Sequence, residues 1–237
     1  YESFLNNETP IYVNARRGDN LSTLGNVKYG ENTLYASTQF NVNNDSIDNY
    51  KTAHARGSIF FDAVEKNYSF SYRISSSRCN KGHTSYGNSQ ADYALGACLA
   101  SYVYNNRQIS LVATMTFSLG GTTRTVSNKI TYRLLLTTIG GSTWSYAKEL
   151  TDLSTSLTGA DAIKTKLESD TGAIFKVSRS GSSFSLYLDD VLLDSKDLAK
   201  NYYHHNTYMP FNADTPSTFG IFTYGGEARF DQFNVTF

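Results

Sequence analysis

The stretch Asn67-Tyr68-Ser69-Phe70-Ser71-Tyr72-Arg73-Ile74 sets an aromatic or aliphatic residue at every even position and a polar one at every odd position. Side chains of an extended chain point alternately to opposite faces. This period of two therefore reads as a strand with one face in a core and one face wetter. The pattern recurs along the chain. Ile109, Leu111, Ala113, Met115 and Phe117 alternate with Ser110, Val112, Thr114 and Thr116, and Ile130, Tyr132, Leu134 and Leu136 alternate with Thr131, Arg133, Leu135 and Thr137. Phe184, Leu186 and Leu188 repeat it, as do Phe233, Val235 and Phe237, and further strands are expected at 33–40, 56–63, 173–179 and 218–224. Gly120-Gly121, Gly140-Gly141 and Gly225-Gly226 separate these segments, and Asp189-Asp190 between two apolar triplets predicts a tight hairpin. Helix-forming residues gather only at 159–170, which predicts one short helix.

About ten strands and one helix leave a two-sheet sandwich, a barrel or a propeller. The chain has no internal repeat, which disfavours the propeller. The expected fold is all-β: a two-sheet antiparallel jelly-roll sandwich forming a single domain over 1–237. Its 237 residues carry 21 Lys and Arg against 21 Asp and Glu, so the net charge is zero. That balance argues against a protein built to coat nucleic acid or an anionic membrane. No apolar run is long enough to span a bilayer as a helix. Eighteen Tyr and 14 Phe suit a pleated, half-buried surface, and the charged fraction is a low 18%. Many Ser, Thr and Asn with few Lys and Glu point to a secreted protein, and no leader opens the chain, so a mature extracellular monomer is expected.

The two cysteines, Cys79 and Cys98, bracket a polar segment with little means of ordering itself. A disulfide between them is expected, worth about 3 kcal/mol by loop closure. They are too far apart for the paired spacing of a zinc site.

Two segments resemble known sandwiches. Leu186-Tyr187-Leu188-Asp189-Asp190-Val191-Leu192 is similar to a hairpin of concanavalin- and laminin-G-like domains, with Asp190 in place of their usual Gly. The tail from Phe219 to Val235, with Phe230-Asp231-Gln232-Phe233, resembles the last hairpin of secreted jelly rolls in polysaccharide lyases and carbohydrate-binding modules. Tyr1-Glu2-Ser3-Phe4 and 27–34 resemble the first strands of that superfamily. Size, the short helix and the secreted composition make the chain similar to fungal-type glucuronan lyases. The common alginate lyase motifs Arg-Thr-Glu-x-Arg, Gln-Ile-His and Tyr-Phe-Lys-Ala-Gly are absent from the sequence.

The resemblance implies β-elimination on an acidic polysaccharide in a concave groove. The carboxylate of the uronate must be held, a base must take the neighbouring proton, and an acid must serve the leaving oxygen. His54 and Arg56, two apart, would share one face of a strand. His54 is the expected base, with Arg56 and Gln90 on the carboxylate. The segment 201–208 holds three Tyr and two His: Tyr202 or Tyr203 is the expected phenol, with His204 as a substrate contact, unless this segment is a sugar-stacking surface or a plain connection. The superfamily also implies a structural Ca²⁺ where the first and last strands meet, on Glu2 and Asp231 with carbonyls near Lys28. The competing expectation is a non-catalytic carbohydrate-binding module that stacks sugars on Trp144 and exposed Tyr. A glycoside hydrolase ranks below both, because the sequence shows no strand with closely spaced facing carboxylates.

Overall fold

The computed structural model describes residues 56–61, 63–75, 93–117, 128–138, 146–204, 207–224 and 228–237, and before these the strands at 2–3, 10–15, 27–28, 40–42 and 47–49. In chain order the strands are β1 (Glu2–Ser3), β2 (Pro10–Ala15), β3 (Val27–Lys28), β4 (Phe40–Val42), β5 (Ile47–Asn49), β6 (Arg56–Phe61), β7 (Asn67–Ser75), β8 (Tyr93–Tyr104), β9 (Arg107–Phe117), β10 (Lys129–Thr138), β11 (Tyr146–Glu149) and β12 (Thr155–Ser156). Helix α1 (Ala160–Leu167) follows. Then come β13 (Ala173–Ser180), β14 (Ser183–Leu188), β15 (Val191–Asp197), β16 (Lys200–His204), β17 (Thr207–Phe211), β18 (Thr218–Tyr224) and β19 (Ala228–Thr236).

These build a jelly-roll sandwich of two antiparallel sheets. One runs β15-β14-β13-β7-β19-β5-β4 with β1 beside β19, and the other runs β11-β10-β9-β8-β18-β6-β2-β3 with β12 beside β10. Strands β16 and β17 form a separate two-stranded hairpin. The quoted stretch became β7, and Tyr68, Phe70, Tyr72 and Ile74 all point into the core while their neighbours stay half-exposed. The inner faces meet over stacked aromatics: the Tyr68 and Phe219 rings lie 3.9 Å apart, and Phe70 and Phe219 4.9 Å. Phenols tie the sheets together. Tyr68 donates to the Leu99 carbonyl at 2.5 Å, Tyr72 to the Gly96 carbonyl at 2.5 Å, and Tyr132 to Asp194 at 2.8 Å. A buried hydroxyl needs such a partner, so each bond lets a tyrosine fill the core at little polar cost.

Three features depart from the sequence expectations. The alternate face of β9 is not wet: Ser110, Thr114 and Thr116 are as buried as Leu111 and Met115. Strand β8, unmarked by any alternation, is the central partner of β9 and β18, and its residues 94–102 are buried on both faces. The tail is not a hairpin. Strand β18 pairs with β6 and β8 in the nine-stranded sheet, whereas β19 pairs with β5 and β7 in the other, so residues 225–227 connect the two layers. Phe219 and Ile221 of β18 and Phe230 and Phe233 of β19 are all buried in the core between the sheets, one pair from each layer. Of the expected strand at 33–40, only Phe40 lies within the described residues.

Candidate functional site

The nine-stranded sheet can be read row by row from the strand registers, and the buried Phe60, Cys98, Val112 and Phe222 lie on its outer face, away from the main core. One row is Phe60, Gly220, Cys98, Val112, Arg133 and Glu149, from β6 across β18, β8, β9 and β10 to β11. The next is Ser58, Phe222, Gly96, Thr114 and Thr131, and the next Arg56, Tyr224, Ala94, Thr116 and Lys129. The middle positions are small. A Cβ on Gly96 would come 2.1 Å from the Ala113 carbonyl oxygen, so this backbone position admits only glycine. Small residues on β8, Ala94, Gly96 and Cys98, make a low but buried floor between β18 and β9.

Hydroxyls and cations border that floor. Thr116 donates to Thr131 at 3.0 Å and Arg133 Nη1 donates to Thr114 at 2.9 Å. Further along, Ser110 and Gln108 both donate to Ser101, at 2.7 and 2.9 Å. Lys129 is ion-paired with Glu149 at 2.5 Å. The centre is closed: Phe60, Cys98, Val112, Leu135 and Phe222 form a second buried apolar cluster. The accessible part is the β10–β11 flank, where Lys129, Arg133 and Glu149 are half-exposed.

The expected site residues distribute unevenly. Arg56 is in β6, and its register partner is Tyr224, on the row that ends at Lys129. His54 and Gln90 lie outside the described residues. Tyr202 faces inward from β16, buried with Met209 and Phe211; its hydroxyl donates to the Leu198 carbonyl at 2.8 Å. Burial first, then the nearby Asp152 and Asp197 carboxylates, hold its phenol above the ordinary tyrosine value. Tyr203, on the alternate face, is 64% exposed. His204 ends β16. The hairpin reaches the sandwich through Tyr104, whose ring is 5.8 Å from that of Tyr208. Tyr104 is ten residues beyond Ala94 on β8, about 30 Å along the strand. The structure thus sets Tyr202 and Tyr203 at the opposite end of the sheet from Arg56 and does not bring them together. Register brings Tyr224 to Arg56 instead, a pairing that sequence spacing has no means of showing.

Glu2 pairs with Val235 in β1–β19, while Asp231 pairs with Arg73 before a bulge in β19. First and last strands do meet. Their register sets Glu2 about 10 Å from Asp231 along the strand, a span that the two carboxylate side chains would have to close to share one ion. Among the described residues no cluster of three or more metal-ligating side chains occurs.

Cys98 is a free thiol, which departs from the expected bridge to Cys79; Cys79 lies outside the described residues. The Cys98 side chain sits in the apolar cluster of the closed face, and burial pushes its thiol up to about 12.

The sequence matches no protein-family profile and no curated protein. Solved structures are similar at a distance. A glycoside hydrolase family 16 endo-glucanase from Bacteroides ovatus aligns at a TM-score of 0.48 and 9% identity, over 98% of this chain and 98% of that one. The alginate lyase AlyC3 aligns at 0.45 and 10%, over 98% and 90%. The carbohydrate-binding module CBM66 from Bacillus subtilis aligns at 0.40 and 12%, over 81% and 86%. Likeness this distant assigns neither an activity nor a substrate.

Proposed function

We propose that this chain grips an acidic polysaccharide at the β10–β11 flank of the outer face of its nine-stranded sheet. The carrying observation is the half-exposed Lys129 and Arg133 of β10, on register rows that run on across the sheet to β6. Their charged heads suit uronate carboxylates, and the half-exposed Glu149 beside them suits sugar hydroxyls.

The finer proposal is eliminative cleavage of a glucuronan-like uronan. His54 takes the proton beside the carboxylate, the glycosidic oxygen leaves with a proton from a phenol, and a double bond forms in the ring. Arg56 and Gln90 hold the carboxylate as charge builds on it. Because Tyr202 and Tyr203 sit at the far end, the phenol in this proposal is Tyr224. That same displacement favours a second reading: a binding module that holds the polymer without cutting it.

Incubation with glucuronan, alginate and pectate separates these readings. Absorbance from an unsaturated uronate, abolished in His54→Ala and Tyr224→Phe, supports the lyase. Retardation in gels containing the polymer, weakened several-fold in Arg133→Ala with no product formed, supports the module. Neither product nor retardation on any of the three sinks the proposal. Secretion is part of it. So is a structural Ca²⁺ on Glu2 and Asp231, whose removal with EDTA should lower the melting temperature by several degrees, with recovery on adding CaCl₂. An unchanged melting temperature would remove the calcium.

A further inference from the structure

The β16–β17 hairpin carries a surface of its own. Tyr203 and Tyr208 are register partners on one face of the hairpin, with ring centroids 5.1 Å apart and planes at 49°. Tyr104, from the end of β8, meets Tyr208 edge-on at 5.8 Å and 74°. Asn201 shares that face, and its Oδ1 accepts the Tyr208 hydroxyl at 3.0 Å. The other face is firmly anchored: Tyr202, Met209 and Phe211 are buried, and the Arg179 guanidinium lies 5.0 Å from the Phe211 ring. The tyrosines are therefore held out from a fixed base.

We infer that Tyr104, Tyr203 and Tyr208 form a sugar-stacking platform for an uncharged pyranose, separate from the Lys129 row of the outer face about 30 Å away. A purely apolar partner surface would favour Phe or Leu here. Tyrosine with an adjoining amide instead offers ring faces to sugar C–H groups and polar edges to hydroxyls. With its Oδ1 engaged by Tyr208, the Asn201 amide has its N–H groups on the donor side. The tilted rings present separate facets, which fits successive rings of a glycan better than one flat group. The platform face of the hairpin, made of Asn201, Tyr203, Tyr208 and Pro210, carries no charge, which suits a neutral ligand; Lys200 lies on the other face and is paired with Asp152 at 3.5 Å.

The inference assumes that the chain handles carbohydrate but uses a different surface from the flank proposed above. The test is affinity electrophoresis of the whole chain in gels containing hydroxyethyl cellulose, galactomannan or xylan, and separately glucuronan. Retardation on at least one neutral polymer is expected. It should fall about tenfold in Tyr203→Ala and persist in Tyr203→Phe and in Arg133→Ala. Tyr203 is exposed, so the variant should fold; an unchanged melting temperature checks this. Equal retardation of wild type and Tyr203→Ala overturns the platform, as does no retardation on any neutral gel. Glucuronan retardation that survives Tyr203→Ala leaves the outer-face proposal standing in either case. A concentration-dependent dimer by sedimentation, lost in Tyr203→Ala, would make these tyrosines a self-association surface and also overturn the inference.

Discussion

Arg179 is 2% exposed, and among the described residues it has no carboxylate partner. Its charge is spread over backbone oxygens instead: Nε donates to Gly181 at 2.7 Å, Nη1 to Glu65 at 3.2 Å, and Nη2 to Thr215 at 2.7 Å. Nη1 also donates to the Ser217 hydroxyl at 2.8 Å, and Ser217 meets Tyr68 at 2.9 Å. The planar fork serves several acceptors at once, which a lysine ammonium on a flexible stem would not. One side chain thereby joins β13, the Glu65–Ser217 bridge and the 212–217 turn. Arg179→Met strands those carbonyls and should cost about 3–5 kcal/mol, read as a lower urea midpoint; a loss under about 1 kcal/mol would refute this role. Tyr102 is the reverse case. Its buried hydroxyl has no hydrogen-bond partner among the described residues, so Tyr102→Phe should stabilise by about 1 kcal/mol in the same measurement. The alternation of β13 marks position 179 as inward, but the arginine's acceptors lie on segments far away in sequence, so its network was not legible there.

At the scale of elements, local signals read well where their cause is local. The Asp189-Asp190 turn does join β14 to β15, with φ of 47° and 65° at the two residues. Left-handed backbone strains most residues, and Asp tolerates it only partly. The two aspartates differ in what they add. Asp189 accepts the Ile174 N–H at 2.9 Å and pairs with Lys166, holding α1 near the hairpin. Among the described residues Asp190 has only an exposed pair with Lys176 at 3.3 Å, which contributes little. Asp190→Gly should therefore raise stability by about 0.5–1 kcal/mol in thermal unfolding, while Asp189→Gly should lower it. The short helix forms inside the expected window for an equally local reason. By contrast β8 escaped notice because Ala94-Leu95-Gly96-Ala97-Cys98-Leu99-Ala100 is buried on both faces. Alternation marks a strand only when its two faces meet different surroundings.

The whole molecule stores many protons in its core. Tyr68, Tyr72, Tyr102, Tyr132 and Tyr202 are all held above the ordinary phenol value chiefly by burial, and Cys98 is pushed up to about 12. An unfolded chain would release these protons near pH 9 to 10, whereas the folded chain keeps them. Raising the pH above that range therefore favours the unfolded chain, by up to about 1.4 kcal/mol per pH unit for each group. Stability should be insensitive to these groups below pH 9 and collapse cooperatively above it. Phenolate absorbance of the buried set should appear together with loss of the β-sheet circular dichroism; phenolate absorbance rising well before unfolding would contradict it.

The sequence by itself determined that the chain is a β-sandwich, which residues of β7, β10 and β14 face its core, and where a hairpin turn and the short helix fall. Those outcomes follow from side-chain period and turn chemistry, which act between near neighbours. Only the tertiary structure decided that the second face of β9 is sealed, that the tail strands part company between the sheets, that Cys98 sits as a buried free thiol, and that the tyrosines of 202–208 stand far from Arg56. Each of these depends on which distant strand lies alongside or across, and no local pattern encodes that pairing.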